Sequence, residues 1–283
     1  MRLLTNKMTH FFLVYLKSNI HVSVCLIFYS LTIGLKNDLI LSSNHILLMF
    51  LFVFGAYNFI KFNEKKFSDE NKQSSIKLIF FYLFAFIVLS VSLFCFYGII
   101  EQIIFLLLSL VVILYSVPVF GKSSMRKNIV FKLLSVPISW ATLIVLFPFH
   151  SELELLTLVY YYIIIFLIIF AQMIPFEIRD FESDKKYFKN IIEIYGLNSI
   201  KSLGYCCLLL VFLISFLMNQ TQIDFDLLAV VITLCILIKK ATKKQKFYYS
   251  SFIVESLPVF WFLLALNYKS FSESITFCCN LLL

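Results

Sequence analysis

The feature that most limits this chain is the length of its uncharged apolar runs. Leu78–Ile100, between Lys77 and Glu101, and Leu155–Phe176, between Glu154 and Glu177, contain no charged residue. About 20 such residues cross the hydrocarbon core as a helix. A helix suits that setting because it satisfies its own backbone hydrogen bonds where there is no water. Composition points the same way: 61% of the 283 residues are hydrophobic and 14% charged, against about 25% charged in soluble domains. A soluble globule of this size lacks the interior to hide that surface. A soluble enzyme, a disordered chain, a disulfide-rich secreted domain and a nucleic-acid binder are excluded. A membrane barrel would show alternating segments of about ten residues, whereas these runs are unbroken. The expected class is all-α: a polytopic membrane protein with nine transmembrane helices around a central cavity.

The nine expected spans are Asn19–Leu35, His45–Ile60, Leu78–Ile100, Gln102–Phe120, Leu133–His150, Leu155–Phe176, Ser202–Ile223, Leu227–Ile238 and Phe247–Tyr268. The eighth is short and crosses only if its flanking charges snorkel. With the N-terminus cytoplasmic, 22 of the 24 lysines and arginines fall on the cytoplasmic side; Lys36 and Lys269 do not. That asymmetry follows the positive-inside rule. The net charge of +8 is then a topology signal with an attraction to anionic lipid. The expected location is the cell (inner) membrane, with the C-terminus outside. The chain, residues 1–283, reads as one membrane domain.

The basic N-terminus precedes no small-residue cleavage site, so the first apolar stretch is expected to be retained. The seven cysteines lie in or beside apolar runs with no paired CxxC motif and read as reduced thiols. His21 and His45 are read as structural residues near the outer face. Asn219-Gln-Thr221 reads as a chance sequon.

The loop after the sixth span carries the chemical signal: Pro175-Phe-Glu-Ile-Arg-Asp-Phe-Glu-Ser-Asp-Lys-Lys-Tyr-Phe-Lys-Asn190. If the helix continues through it, Asp180 and Asp184 share a face and Glu177 joins them. Carboxylates so spaced can hold Mg²⁺, which in turn takes diphosphate oxygens. Arg179, Lys185 and Lys189 can meet the remaining phosphate charge. A solvated, charge-laced helix end has the same spacing.

Asp180, Glu182, Asp184, Lys185, Lys189 and Gly196 resemble the second aspartate-rich motif of the UbiA prenyltransferase family. Ser183, Phe188 and Ile191 depart from its pattern. The resemblance implies nine helices, with aspartate-rich loops after the second and sixth, so the loop lies where that family has it. It implies Mg²⁺ as cofactor, held by Asp180, Asp184 and Glu177, with Asp180 and Asp184 catalytic. It implies a polyprenyl diphosphate and a lipophilic acceptor as partners, besides membrane lipid, with no nucleic acid and no obligate protein partner.

The first motif departs further. Asn58 stands where the motif asparagine would, but four and eight residues on come Phe62 and Lys66 instead of aspartates. Lys61 is a substitute for neutralising phosphate directly. Tyr115-Ser116, then Lys122, Arg126 and Lys127, resembles the family's segment after the fourth helix; a positive-inside cluster gives the same pattern. Glu255 lies within the ninth span, where a carboxylate is costly and faces a cavity or a partner. It is expected, with Tyr115, to line the cavity. Gln172 and Tyr160–Tyr162 suit packing. The functional expectation is a UbiA-like prenyltransferase that moves a polyprenyl group from its diphosphate to an aromatic or isoprenoid-pathway acceptor. A non-catalytic lipid- or quinone-binding protein of the same fold is the alternative. A small transporter fits less well, since nine spans are odd in number and broken helices are few.

Overall fold

The computed structural model describes residues 12–66, 89, 91–92, 94–117, 124–184, 191–220 and 222–282. These form helices α1 (Ile20–Lys36), α2 (Ser43–Lys66), α3 (Ile99–Ser116), α4 (Ile129–Ala141), α5 (Leu155–Asp184), the short α6 (Ile191–Tyr195), α7 (Leu197–Met218), α8 (Phe225–Lys240) and α9 (Leu257–Leu282). No strand occurs among the described residues. Among the described residues six helical segments are long and apolar enough to cross a membrane: Ser43–Lys61, Ile99–Ser116, Ile129–Phe149, Leu155–Glu182, Leu197–Met218 and Tyr249–Lys269. Ile20–Lys36 is a shorter apolar helix. This is a multi-pass membrane architecture. Most of the expected third span, Leu78–Ile100, lies outside the described residues.

The bounds differ from the expected ones where local chemistry intervenes. The break between the third and fourth spans falls at Tyr97–Gly98, and Glu101 sits inside the first turn of α3. A carboxylate is favourable there, beside the helix's free N–H groups, so a charge did not mark the boundary. Helix α5 runs eight residues past the expected end at Phe176. At 1.5 Å per residue it is about 45 Å long, more than a bilayer core needs, and its acidic end projects beyond the span. Helix α8 begins at the N-cap Asp224, whose carboxylate accepts from the Leu227 amide.

The long helices pack as a ring in chain order: α1 on α2, α2 on α3, α3 on α4, α4 on α5, α5 on α7, α7 on α8, α8 on α9, and α9 back on α1. The α7–α5 contact is close because Gly204 lacks a side chain. A Cβ there would lie 2.5 Å from Ile174 Cδ1 and 3.0 Å from Ile238 Cδ1. Gly196, the N-cap of α7, has φ +81°. That left-handed backbone favours glycine and accounts for a glycine closing the acidic motif. The core includes Ile33, Met49, Ile144, Phe147, Ile168 and Trp261, all fully buried. The outward faces keep leucines, isoleucines and phenylalanines exposed, as a lipid-facing surface requires.

Two π-helical turns interrupt the ring. One, Thr142–Leu146, follows α4 and leads into Phe147–Phe149. The other, Tyr249–Val254, precedes α9. Both have a carbonyl satisfied by α1. Ser30 Oγ donates to Ile144 O at 2.8 Å, and His21 Nε2 lies 3.3 Å from Phe252 O. The Tyr15 hydroxyl lies 2.9 Å from His21 Nδ1, so one neutral tautomer satisfies both bonds.

Charges sort to the two ends. At one end Lys201 Nζ donates to Lys239 O and Ala241 O, and Lys243 lies over the Phe181 ring. At the other, Lys36 Nζ is 2.6 Å from Asp224 Oδ2 and 2.9 Å from Asp226 Oδ2, and the Trp261 indole donates to Asp226 at 2.8 Å. Lys269 pairs there with Asp38, and His150 with Glu101. The two lysines that break the basic asymmetry are thus each held by acids. Burial, and then the hydrogen bond it shares with Asp226, raises the Asp224 carboxyl above the usual carboxylate range.

Lys36→Met leaves two adjacent, mostly buried carboxylates without a cation. Thermal unfolding of the detergent-solubilised protein should show a loss of about 3 kcal/mol. Adding Asp226→Asn should recover part of it.

Candidate functional site

The described parts of the ring enclose a cavity of about 420 Å³, within the range of small-molecule sites. Helices α1 to α5 and the turn before α9 form its wall, while α7 and α8 pack outside. Along α5 the lining runs from Ile169 to Asp180, about 16 Å at helical rise. The inner wall is apolar and includes Leu26, Phe52, Val53, Trp140 and Leu143. The mouth, at the basic end, carries Lys61, Arg126, Lys132, Glu177, Arg179 and Asp180.

Helix α5 continues through the acidic segment to Asp184. Glu177 and Asp184 are seven residues apart, two turns along one face. Lys132, in the first turn of α4, reaches between them. Its Nζ is 2.7 Å from Glu177 Oε2 and 2.7 Å from Asp184 Oδ2. Exposure is 8% for Lys132 and 6% for each acid, so the three charges are shielded from water together. Arg126 Nη2 lies 3.8 Å from Asp184 Oδ1. Lys132 and Arg126 therefore balance Glu177 and Asp184.

Asp180 has a separate partner. Arg179 grips it through Nε at 2.7 Å and Nη2 at 2.9 Å. The same guanidinium donates through Nη1 to Ser250 Oγ at 2.8 Å and Ser251 Oγ at 2.7 Å. It also stacks near the Phe176 and Phe247 rings. Five donors in a planar fork allow all of this at once. Arg179 thereby ties α5 to the π turn, and that turn carries Glu255 onto the cavity wall. No hydrogen bond or ion pair reaches the Glu255 carboxylate among the described residues. Tyr57, stacked on Trp140 at 5.6 Å, shares the wall.

Several expected site residues fall elsewhere. Asn58 is turned toward the start of α1. Its Nδ2 donates to Ser18 O at 3.1 Å and Phe54 O at 2.8 Å, and its Oδ1 accepts from Asn19 at 3.0 Å. It braces α2 against α1, and Asn19 is on the lining instead. Lys61 does line the mouth, with its Nζ donating to Lys17 O at 2.6 Å. Tyr115 lines the cavity beneath Arg126, 5.9 Å from its ring. Lys122, Lys185 and Lys189 lie outside the described residues.

Other residues were missed or misplaced. Lys132 counted only toward topology, because a lysine just inside a helix start has the same pattern as a snorkelling one; Arg126, expected in the segment after the fourth span, does line the mouth. His21 is at the basic end rather than the outer face: it packs on Phe252, which directly follows the Arg179 partners Ser250 and Ser251. Gln172 both packs and lines the cavity. It accepts from Tyr29 at 2.8 Å and donates to Val254 O at 2.7 Å. Serines 250 and 251 gave no motif signal.

The donor set does not fit Mg²⁺ in this arrangement. Mg²⁺ takes oxygen ligands in a strict octahedron and dehydrates reluctantly. Here Glu177 and Asp184 are bound to an ammonium and Asp180 to a guanidinium. Among the described residues no group of three acidic, histidine or cysteine side chains is arranged to hold a metal.

No protein-family model matches the chain, and no curated protein matches it in sequence. Solved structures do match in fold. One, of digeranylgeranylglyceryl phosphate synthase in membranes, aligns with a TM-score of 0.61 at 16% identity, covering 90% of this chain and 96% of that one. At that identity the likeness is one of fold.

Arg179→Lys keeps the charge but not the fork, so one ammonium cannot hold Asp180, Ser250 and Ser251 together. Thermal unfolding should show a loss of about 1–3 kcal/mol. Arg179→Met should cost more, because Asp180 then loses its counter-charge.

Proposed function

We propose that this protein is a UbiA-like membrane prenyltransferase, one membrane domain that transfers a polyprenyl group from its diphosphate to a lipophilic acceptor. The observation that carries the reading is the cavity: an apolar interior about 16 Å long that ends in a mouth crowded with fixed cations. A prenyl diphosphate has the same division, an apolar chain and a polyanionic head. The likeness in fold to digeranylgeranylglyceryl phosphate synthase supports the reading. So do the motif residues Asp180 and Asp184.

In this reading the prenyl chain lies along Leu26, Val53, Leu143 and Ile169, and the diphosphate meets Lys61, Arg126 and Arg179. The positive-inside rule makes that mouth cytoplasmic. The allylic C–O bond breaks, and its electron pair leaves with the diphosphate. Cations already in place stabilise the departing charge without reorganising. The nucleophilic acceptor captures the allylic carbon and passes its proton to a carboxylate of the same wall, Glu255 or Asp180. The apolar wall keeps water from the cation, which would otherwise end as a prenyl alcohol.

The pairing of all three motif acids with cations favours a second reading, a non-catalytic lipid binder of the same fold. Purified protein supplied with radiolabelled geranylgeranyl diphosphate and a membrane-lipid extract separates the two. The expected outcome is a labelled lipid product together with released diphosphate. Arg179→Met and Asp180→Asn should lower the rate by at least about tenfold, or 1.4 kcal/mol of barrier. Binding of the diphosphate with neither product nor released diphosphate would establish the second reading.

A further inference from the structure

We infer that Lys132 stands in place of a divalent cation, so that the diphosphate head at this mouth is held by fixed side-chain cations without a metal. The inference rests on the prenyl diphosphate reading and specifies how that site recognises its ligand.

Glu177, Asp180 and Asp184 stand among the cations Lys61, Arg126, Lys132 and Arg179 at the mouth. Every acid already has a cation in contact, at 2.7 Å for Lys132 on both of its partners and for Arg179 on Asp180. A divalent ion entering between Glu177 and Asp184 would meet the ammonium at close range. It would have to expel Lys132 from a place where both carboxylates are buried. Removing one member of a buried ion group is costly, since the partners remain uncompensated. With its three acids so neutralised, the mouth can take an anion beside Lys132 and Arg179. A metal bridge is needed where carboxylates repel a phosphate. Here lysine and arginine cancel that repulsion directly.

Two further observations agree. Ser135, one turn along α4 from Lys132, lines the same cavity and is 8% exposed. Its hydroxyl is buried with no hydrogen-bond partner among the described residues, as expected of a group awaiting a polar ligand. The sequence of α2 is the second: Phe62 and Lys66, not aspartates, stand four and eight residues beyond Asn58.

The test measures binding of geranylgeranyl S-thiolodiphosphate, which resists ionisation, to the purified full chain in detergent. Wild type is titrated in EDTA and again with excess Mg²⁺, and inorganic pyrophosphate serves as a head-group probe. The expected result is the same affinity within about threefold in both. Lys132→Gln should bind at least about tenfold more weakly in EDTA. Mg²⁺ should then restore part of that loss, because Glu177 and Asp184 are released to hold it. Mn²⁺ bound stoichiometrically by Lys132→Gln and not by wild type, read by electron paramagnetic resonance, would agree. Should wild type bind the thiolodiphosphate at least about tenfold tighter with Mg²⁺, the inference is overturned and the prenyl diphosphate reading stands. Failure to bind under either condition overturns that reading as well. If Lys132→Gln does not fold, the two wild-type titrations decide alone.

Discussion

Lys132 reaches from α4 to α5 and, with Arg126 beside Asp184, makes Glu177 and Asp184 tolerable inside the protein. Two carboxylates at 6% exposure would repel each other strongly in so dry a place. The ammonium, 2.7 Å from both, turns that repulsion into a cross-brace between two helices. The brace holds the acidic end of α5 against the bundle. Arg179 is thereby aimed at Ser250 and Ser251, and the turn that bears Glu255 is set on the cavity wall. The mouth is an electrostatic assembly of α4, α5 and the start of α9, with α2 adding Lys61.

The outline of this fold was legible in the sequence because a bilayer leaves few options. Uncharged runs located the described long helices, though α5 runs eight residues past its expected end, and the sorting of Lys and Arg marked the two ends. What was not legible came from contacts between distant segments. Glu101 seemed to separate two spans, yet it lies inside α3 as a helix-start charge paired with His150. The motif asparagine, Asn58, spends its donors on backbone carbonyls. Lys132 is 45 residues from Glu177 and has no local signature. A resemblance built on the residues of one motif says nothing of which cation answers them. It found the acidic segment of α5 and missed the lysine that decides what those acids can hold.

Lys36 and Lys269 show the same principle at the opposite end. Each breaks the charge asymmetry, and each is held by an acid: Lys36 by Asp224 and Asp226, Lys269 by Asp38. Asp226 also accepts from Trp261, which packs edge-on against Tyr29. Tyr29 in turn donates to Gln172 on the cavity wall. A chain of contacts, polar except at the Trp261–Tyr29 ring pair, thus runs from the acidic rim to the cavity.

The two π turns have a consequence for the helices that continue beyond them. A π turn closes its hydrogen bond over one residue more than an α turn, as Glu255 N does on Ser250 O. Each turn therefore stores one surplus residue, and the side chains on either side are offset by about 100° from an uninterrupted helix. The carbonyls that keep Ser30 and His21 engaged fix where that surplus sits. Helix α1 thus acts as a register pin for both neighbours: it determines which side chains of α4 and α9 are dealt to the cavity and which to the lipid.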